Sequence, residues 1–155
     1  MNKDPFTIII DTREQLPWEF GYHSTSHQKL DTGDYSIAGF EDVLAIERKR
    51  SVSEIANNLS ESRFLDVLDR MSKIRYSFIL LEFELNDVLE YPNNSDIPKK
   101  LWSKLRVSGN YILKRLVEIQ MQYGIHIMLC GSIENARRTA VSIMKRVYEQ
   151  QTNNI

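Results

Sequence analysis

The alternation of apolar and polar side chains divides the chain into short strands and amphipathic helices. Residues 7–11 are a β-branched run that predicts a buried strand. From Gln15 to Asp31 the regularity is lost. Pro17, Gly21 and several Ser, Thr and His side chains make a long loop the expectation there, and loops of that length in a compact domain usually serve function. Residues 35–38 and 43–48 predict a hairpin around Gly39-Phe40-Glu41-Asp42. A turn centred between Phe40 and Glu41 sets Tyr35 opposite Ile46 and Ile37 opposite Leu44 on one apolar face. The other face then carries Asp34 opposite Glu47 and Ser36 opposite Ala45, and a slip of one residue would expose the apolar pairs.

Further along, Ser51-Val52-Ser53-Glu54 is a capping-box pattern opening a helix with Val52, Ile55, Ala56 and Leu59. A polar break at residues 60–62 precedes a second helix carrying Phe64, Leu65, Leu68 and Met71. Residues 76–83 form a near-continuous apolar run, the pattern of a strand buried on both faces. Residues 86–96, broken by Pro92 and closed by Pro98, read as loop. Helix is predicted for 99–105 and for 110–123, where Tyr111, Ile112, Leu116, Ile119 and Tyr123 keep helical spacing before Gly124. Residues 125–130 are another short buried strand. Ser132 then caps a last helix with Ile133, Ala136, Ala140, Ile143, Met144 and Val147 on its stripe. The order β-β-β-α-β-α-β-α predicts an α/β fold, a mixed β-sheet flanked by α-helices. A length of 155 residues sets the expectation of a single domain over 1–150 with a short flexible tail at 151–155.

Composition narrows the class. Apolar residues at 42% and charged residues at 26% set aside disordered and fibrous chains. Apolar runs reach only about four residues, and the N-terminus lacks a basic-then-apolar signal pattern, so no membrane association is expected. One cysteine, Cys130, cannot make an internal disulfide or a cysteine-rich metal site. It reads as a small core residue in a reducing compartment, with the cytoplasm of a bacterial or phage-infected cell as the expectation. The net charge of −1 hides a polarity. Residues 1–44 hold three Lys/Arg against eight Asp/Glu, 77–98 hold none against five, and 99–146 hold ten against two. Blocks of separated sign suggest an electrostatic footprint, although solvated helix faces give the same count.

Three acids are expected at strand ends: Asp11 closing the first strand, Asp34 opening the second, Glu47 near the end of the third. Lys49, two residues after Glu47, shares its face. Two ionised carboxylates about 4 Å apart repel by about 1 kcal/mol in water and about 4 kcal/mol at a protein-surface dielectric. A bound cation, a shared proton or a basic neighbour must offset that. Hard oxygen donors suit Mg²⁺ or Mn²⁺, which can activate a water and stabilise charge on a phosphoryl group, with Lys49 positioning or deprotonating that water. A cross-strand salt bridge of the Glu47-Arg48-Lys49 segment with Asp34 is the plainer alternative.

Asp11-Thr12-Arg13-Glu14, then Gly33-Asp34-Tyr35, then Ile46-Glu47-Arg48-Lys49 ahead of a Ser-led helix resemble the nuclease domain of the XPF/Hef structure-specific endonuclease family, within the PD-(D/E)XK superfamily. The resemblance covers most of residues 6–148, strongest in the GDY and ERK segments. It implies a restriction-endonuclease-like fold and an endonuclease that hydrolyses branched or flapped DNA with Mg²⁺ or Mn²⁺, in repair or recombination. By position it implies Asp34 and Glu47 as metal ligands, Asp11 supporting them, and Lys49 as the catalytic lysine. Arg13 and Arg48 would contact or orient groups near the scissile phosphate, with Arg63 close by. Two departures stand out. The family's aspartate beyond the ERK lysine is replaced by Ser53, with Glu54 next, read here as the capping residue. The paired helix-hairpin-helix module that often follows, the family's usual dimerisation and DNA-docking unit, is not in these 155 residues.

Other residues carry weaker readings. His23 and His27 have the spacing of a helical metal pair but fall in the loop. His126 reads as strand packing. Trp18 and Tyr22 suit either base stacking or an apolar cover over a sheet edge. Trp102, set among Lys99, Lys100 and Lys104, reads as core. The Tyr111/Ile112/Leu116/Ile119 stripe reads as core as well, with a homodimer face as the other use. The functional alternatives are a non-catalytic DNA-binding or partner subunit of the same fold, and a dimeric junction resolvase.

Overall fold

The computed structural model describes residues 4–153. One six-stranded sheet forms its centre: β1 (Ile8–Asp11), β2 (Thr25–Gln28), β3 (Tyr35–Ile37), β4 (Leu44–Lys49), β5 (Tyr76–Leu81) and β6 (His126–Leu129), in the order β2-β1-β3-β4-β5-β6. β3 is antiparallel to both β1 and β4, while β1 with β2 and β4 with β5 and β6 pair in parallel, so β3 alone runs against the rest. The hairpin register is as the pattern predicts, with Tyr35 opposite Ile46. The sheet is mixed and flanked by helices, as expected from the sequence.

The two faces of the sheet build two cores. Ile8, Ile10, Tyr35, Ile37, Leu44, Ile46 and Leu80 pack with Trp18 and Phe20 and with α5 (Ile133–Asn153). Ile79 and Leu81 face the other way, onto α1 (Val52–Asn58), α2 (Ser62–Ser72), α3 (Leu85–Leu89) and α4 (Gly109–Tyr123). The period-two alternation of β5 therefore feeds both layers, which is why its sequence is apolar throughout. Helix boundaries follow their caps. The hydroxyls of Ser51, Ser108 and Ser132 accept from the N–H groups of Glu54, Tyr111 and Asn135, and Gly124 ends α4 at φ +67°.

Several expectations need correction. The loop predicted over 15–31 contains β2. Its Thr-Ser-His-Gln sequence shows no apolar alternation because it is a largely exposed edge strand, held through main-chain pairing to β1. The loop expected at 86–96 begins with the short helix α3. Residues 99–104 form a 3-10 helix with no buried residue, and Trp102 is half-buried, donating its indole N–H to the Ile97 carbonyl at 3.0 Å. Ile112, Leu116 and Ile119 lie inside the core, so the stripe offered as a homodimer face is covered, with only Tyr111 exposed. α5 runs on through Asn153, so the tail expected from 151 is helical as far as the described residues go; 154–155 lie outside them. Among the described residues no helix is long and apolar enough to cross a membrane.

Candidate active site

Because β3 opposes its neighbours, one end of the sheet gathers the C-terminal ends of β1, β4 and β5 together with the entry to β3. Asp11, Glu47 to Lys49, Glu82 and Asp34 therefore converge from distant parts of the chain. Gly33 makes the approach of Asp34 to β4 feasible. It sits at φ +85°, and a Cβ there would lie 3.2 Å from the backbone N and O of Ile46. The Asp34 N–H donates to the Ile46 carbonyl at 2.8 Å, and Asp34 Oδ2 accepts from the Arg48 N–H at 2.8 Å.

Alternation along β4 sorts the ERK triplet. Arg48 joins Leu44 and Ile46 on the α5 side, while Glu47 and Lys49 point to the α1 side. There they line a cleft of about 250 Å³ with Glu14, Asp34, Arg48, Arg50, Glu54 and Asn58. The Lys49 ammonium lies 5.3 Å from the Phe64 ring centroid, its charge over the ring face. Burial, and then the adjoining Glu47 carboxylate, hold Asp34 well above the ordinary carboxylate range, partly offset by the Arg48 N–H and Lys49. Glu14 is raised by burial and by Asp34. Glu14 Oε2 and Asn58 Oδ1 are buried without a hydrogen-bond partner, the nearest cation to the former being Arg48 at 3.9 Å. The cleft thus sets four carboxylates, Glu14, Asp34, Glu47 and Glu54, against Arg48, Lys49 and Arg50, and leaves two buried oxygens unpaired. That is an environment in which a hard cation satisfies several oxygens at once.

Of the other expected site residues, only Arg48 also borders the cleft. Asp11 does not line the cleft. Its carboxylate is used up by Arg13 Nε at 2.9 Å, Arg13 Nη2 at 3.3 Å and the Leu30 N–H at 2.8 Å, which together hold it below the usual range despite its burial. It anchors the start and end of the loop rather than supporting an ion. Arg48 borders the cleft, but its side chain is turned inward. Strand alternation buries its guanidinium against Glu82 Oε2 at 2.7 Å, the Leu16 carbonyl at 3.0 Å and the Trp18 ring at 5.0 Å. Arg63 faces solvent on α2, paired with Glu61, and lines no part of the cleft. Arg13 is largely exposed, with Asp34 and Glu47 close enough to favour its charge. Trp18 is structural: it stacks on Tyr35 at 4.5 Å and donates to Glu82 Oε2 at 2.6 Å. His23 pairs with Asp4 and stacks on Tyr22, not with His27. Glu54 donates its N–H to the Ser51 hydroxyl that caps α1, and its carboxylate accepts from the Arg50 N–H at 3.3 Å while also lining the cleft.

Sequence reasoning missed Glu14, Arg50 and Asn58. Glu14 reaches the cleft because its N–H closes a turn onto the Asp11 carbonyl at 3.0 Å. The acid-rich DTRE segment was the available signal, but a turn cannot be read from an apolar pattern.

The family profile described as ERCC4 domain matches residues 10–142, from β1 into α5. A curated relative, the 3'-flap repair endonuclease Xpf of Saccharolobus solfataricus, is 27% identical over 95 residues, covering 61% of this chain and 35% of that protein. The match thus spans well under two thirds of that relative's length. Among solved structures, XPF from Aeropyrum pernix superposes with TM-score 0.67 at 18% identity, covering 95% of this chain and 67% of that one. XPF from Aeropyrum pernix in complex with DNA gives 0.62 at 17% identity, covering 94% and 66%. At those identities the likeness is one of fold. The profile match takes in every element that lines the cleft, and this chain belongs to the ERCC4 domain family.

Proposed function

We propose that this chain is a divalent-metal-dependent DNA endonuclease acting at branched or flapped DNA. The observation that carries the reading is the half-buried Asp34 facing Glu47 across the hairpin, with Lys49 on the same side of β4 and in the same cleft. The donor set fits Mg²⁺ or Mn²⁺. Among the described residues no group of three or more His, Cys, Asp or Glu is arranged to hold an ion, but these metals take one or two carboxylates and leave other positions to water and substrate phosphate. Asp34 and Glu47 would hold the ion, with the unpartnered Glu14 oxygen beside them. The chemistry such an ion supplies is charge neutralisation at phosphoryl oxygens and acidification of a ligating water. Lys49 would hold the attacking water or a non-bridging phosphate oxygen by a charge-assisted hydrogen bond. Arg13, exposed at the rim, would meet a neighbouring phosphate. Substrate class rests on the relatives: one is described as a 3'-flap repair endonuclease, and a structural neighbour was solved with DNA.

The test is a cleavage panel of duplex, flap, fork, four-way junction and single strand in Mg²⁺ or Mn²⁺, with EDTA controls. Glu47→Ala and Lys49→Ala should each lose about 10²–10⁴-fold in cleavage, while DNA affinity stays within about threefold. A wild-type chain that binds DNA and cuts nothing in the panel would instead make this a non-catalytic member of the fold.

A further inference from the structure

A groove of about 1270 Å³ leaves the catalytic cleft on the α5 side, and Arg50 lines both. Buried Trp18 and Phe20 form its floor, with Leu16, Pro17 and Ile133 along it and Arg137 at its α5 end. Glu19 and Glu134 are also in its lining, so the groove is apolar with charge of both signs rather than a basic track. Leu16 stands out within it. Its side chain is 84% exposed, and its φ of +49° is one that L side chains other than Asn seldom adopt. The surrounding chain holds it there. Its carbonyl accepts from Arg48 Nη1 at 3.0 Å and Arg50 Nη2 at 3.5 Å, and Arg50 also binds the Gln15 carbonyl. Arg48 is in turn fixed by Glu82 and Trp18. A strained backbone pinned by two arginines, carrying a large apolar side chain out into solvent beside the cleft, has no packing purpose.

We infer that the Leu16-Pro17 knuckle is an apolar wedge that packs against the nucleobase next to the scissile phosphate at a strand junction, which makes Leu16 a specificity-determining residue for DNA with an unpaired branch. The inference rests on the endonuclease reading. Leu and Pro are among the side chains that proteins drive between base steps, and each costs no hydrogen bond when it displaces a stacked neighbour. The unpaired base would lie in the groove against the exposed side chains of Leu16 and Ile133, with the backbone phosphate reaching Arg50 at the junction of the two cavities.

Because the Leu16 side chain is exposed, truncating it removes no core contact, and Leu16→Asn tolerates the same positive φ, so both Leu16→Ala and Leu16→Asn should fold. On a fully paired fork both variants should lose about tenfold in kcat/KM relative to wild type. Two mismatched pairs placed at the branch should restore them to within about twofold, since a pre-opened junction needs no wedge. Equal loss on both forks, or no loss on either, overturns the inference. A second readout is independent of cleavage. In EDTA, 2-aminopurine at the branch should brighten on binding wild type or Glu47→Ala, and should stay quenched with Leu16→Ala. If nothing is cut but the fluorescence still depends on Leu16, the catalytic reading fails and the wedge stands. If 2-aminopurine responds alike to wild type and Leu16→Ala, or no binding occurs, the wedge fails.

Discussion

Burial raises the Asp34 carboxyl above its ordinary 3.8 and the Glu47 carboxylate adds to the effect, so the folded, ion-free chain keeps a proton that the unfolded chain has already released. A value raised on folding gives a stability contribution that is whole below the unfolded value and is lost as pH rises through the folded one. At neutral pH Asp34 therefore costs stability unless a cation is bound. Asp34→Asn should raise the thermal midpoint in EDTA at pH 7 by about 2–4 °C, the equivalent of about 1 kcal/mol, with the gain fading toward pH 3. The same variant should lose the extra stability that Mg²⁺ gives the wild type. An Asn variant melting below wild type at pH 7 would mean that the Arg48 N–H and Lys49 already outweigh the repulsion. At this scale the sequence was informative wherever strand periodicity decides the direction of a side chain. Glu47 and Lys49 share a face, as the spacing requires. The same rule sends Arg48 to the opposite face, where it meets Glu82, a partner 34 residues away whose presence no local pattern announces.

Between residue and molecule, the β3–β4 hairpin carries the site, and its register could be read because a slip would have exposed Tyr35 and Ile46. What brings β3 close enough for Asp34 to face Glu47 is Gly33. Gly33→Ala places a Cβ against the Ile46 backbone at 3.2 Å and must also hold φ +85° with a side chain. The expected loss is about 1–2 kcal/mol, read as a shift in the urea midpoint with an unchanged m value, together with a fall in cleavage larger than the stability loss explains. A fall in stability with full activity would show that the hairpin relaxes without moving Asp34. β2 and α3 were not legible for a common reason. Both are short, and β2 is held by main-chain pairing at an exposed edge, so neither imposes an apolar period on its sequence.

Across the whole molecule the charge blocks of the sequence are rearranged by the sheet. The ten basic residues of 99–146 do not form one footprint, because α4 packs on one face of the sheet and α5 on the other. Several are also engaged locally: Lys114 and Arg115 with Glu118, Lys145 with Asp4, and Arg146 with Glu149. The cations beside the cleft, Arg13, Lys49 and Arg50, come from the first fifty residues, which segment counting marks as acidic over most of their length. Arg137 at the far end of the groove makes a fourth. Counterion release scales with phosphates neutralised, at about 0.9 per contact on duplex DNA. Four contacts predict that the logarithm of the association constant for a fork falls with the logarithm of salt concentration with a slope of about −3 to −4, measured by fluorescence anisotropy in EDTA. Replacing Arg137 by Ala should take about one unit from that slope, and replacing Lys114 should take none. A slope steeper than about −6 would show that both helix faces reach the DNA, which a single duplex could manage only by wrapping around the edge of the sheet.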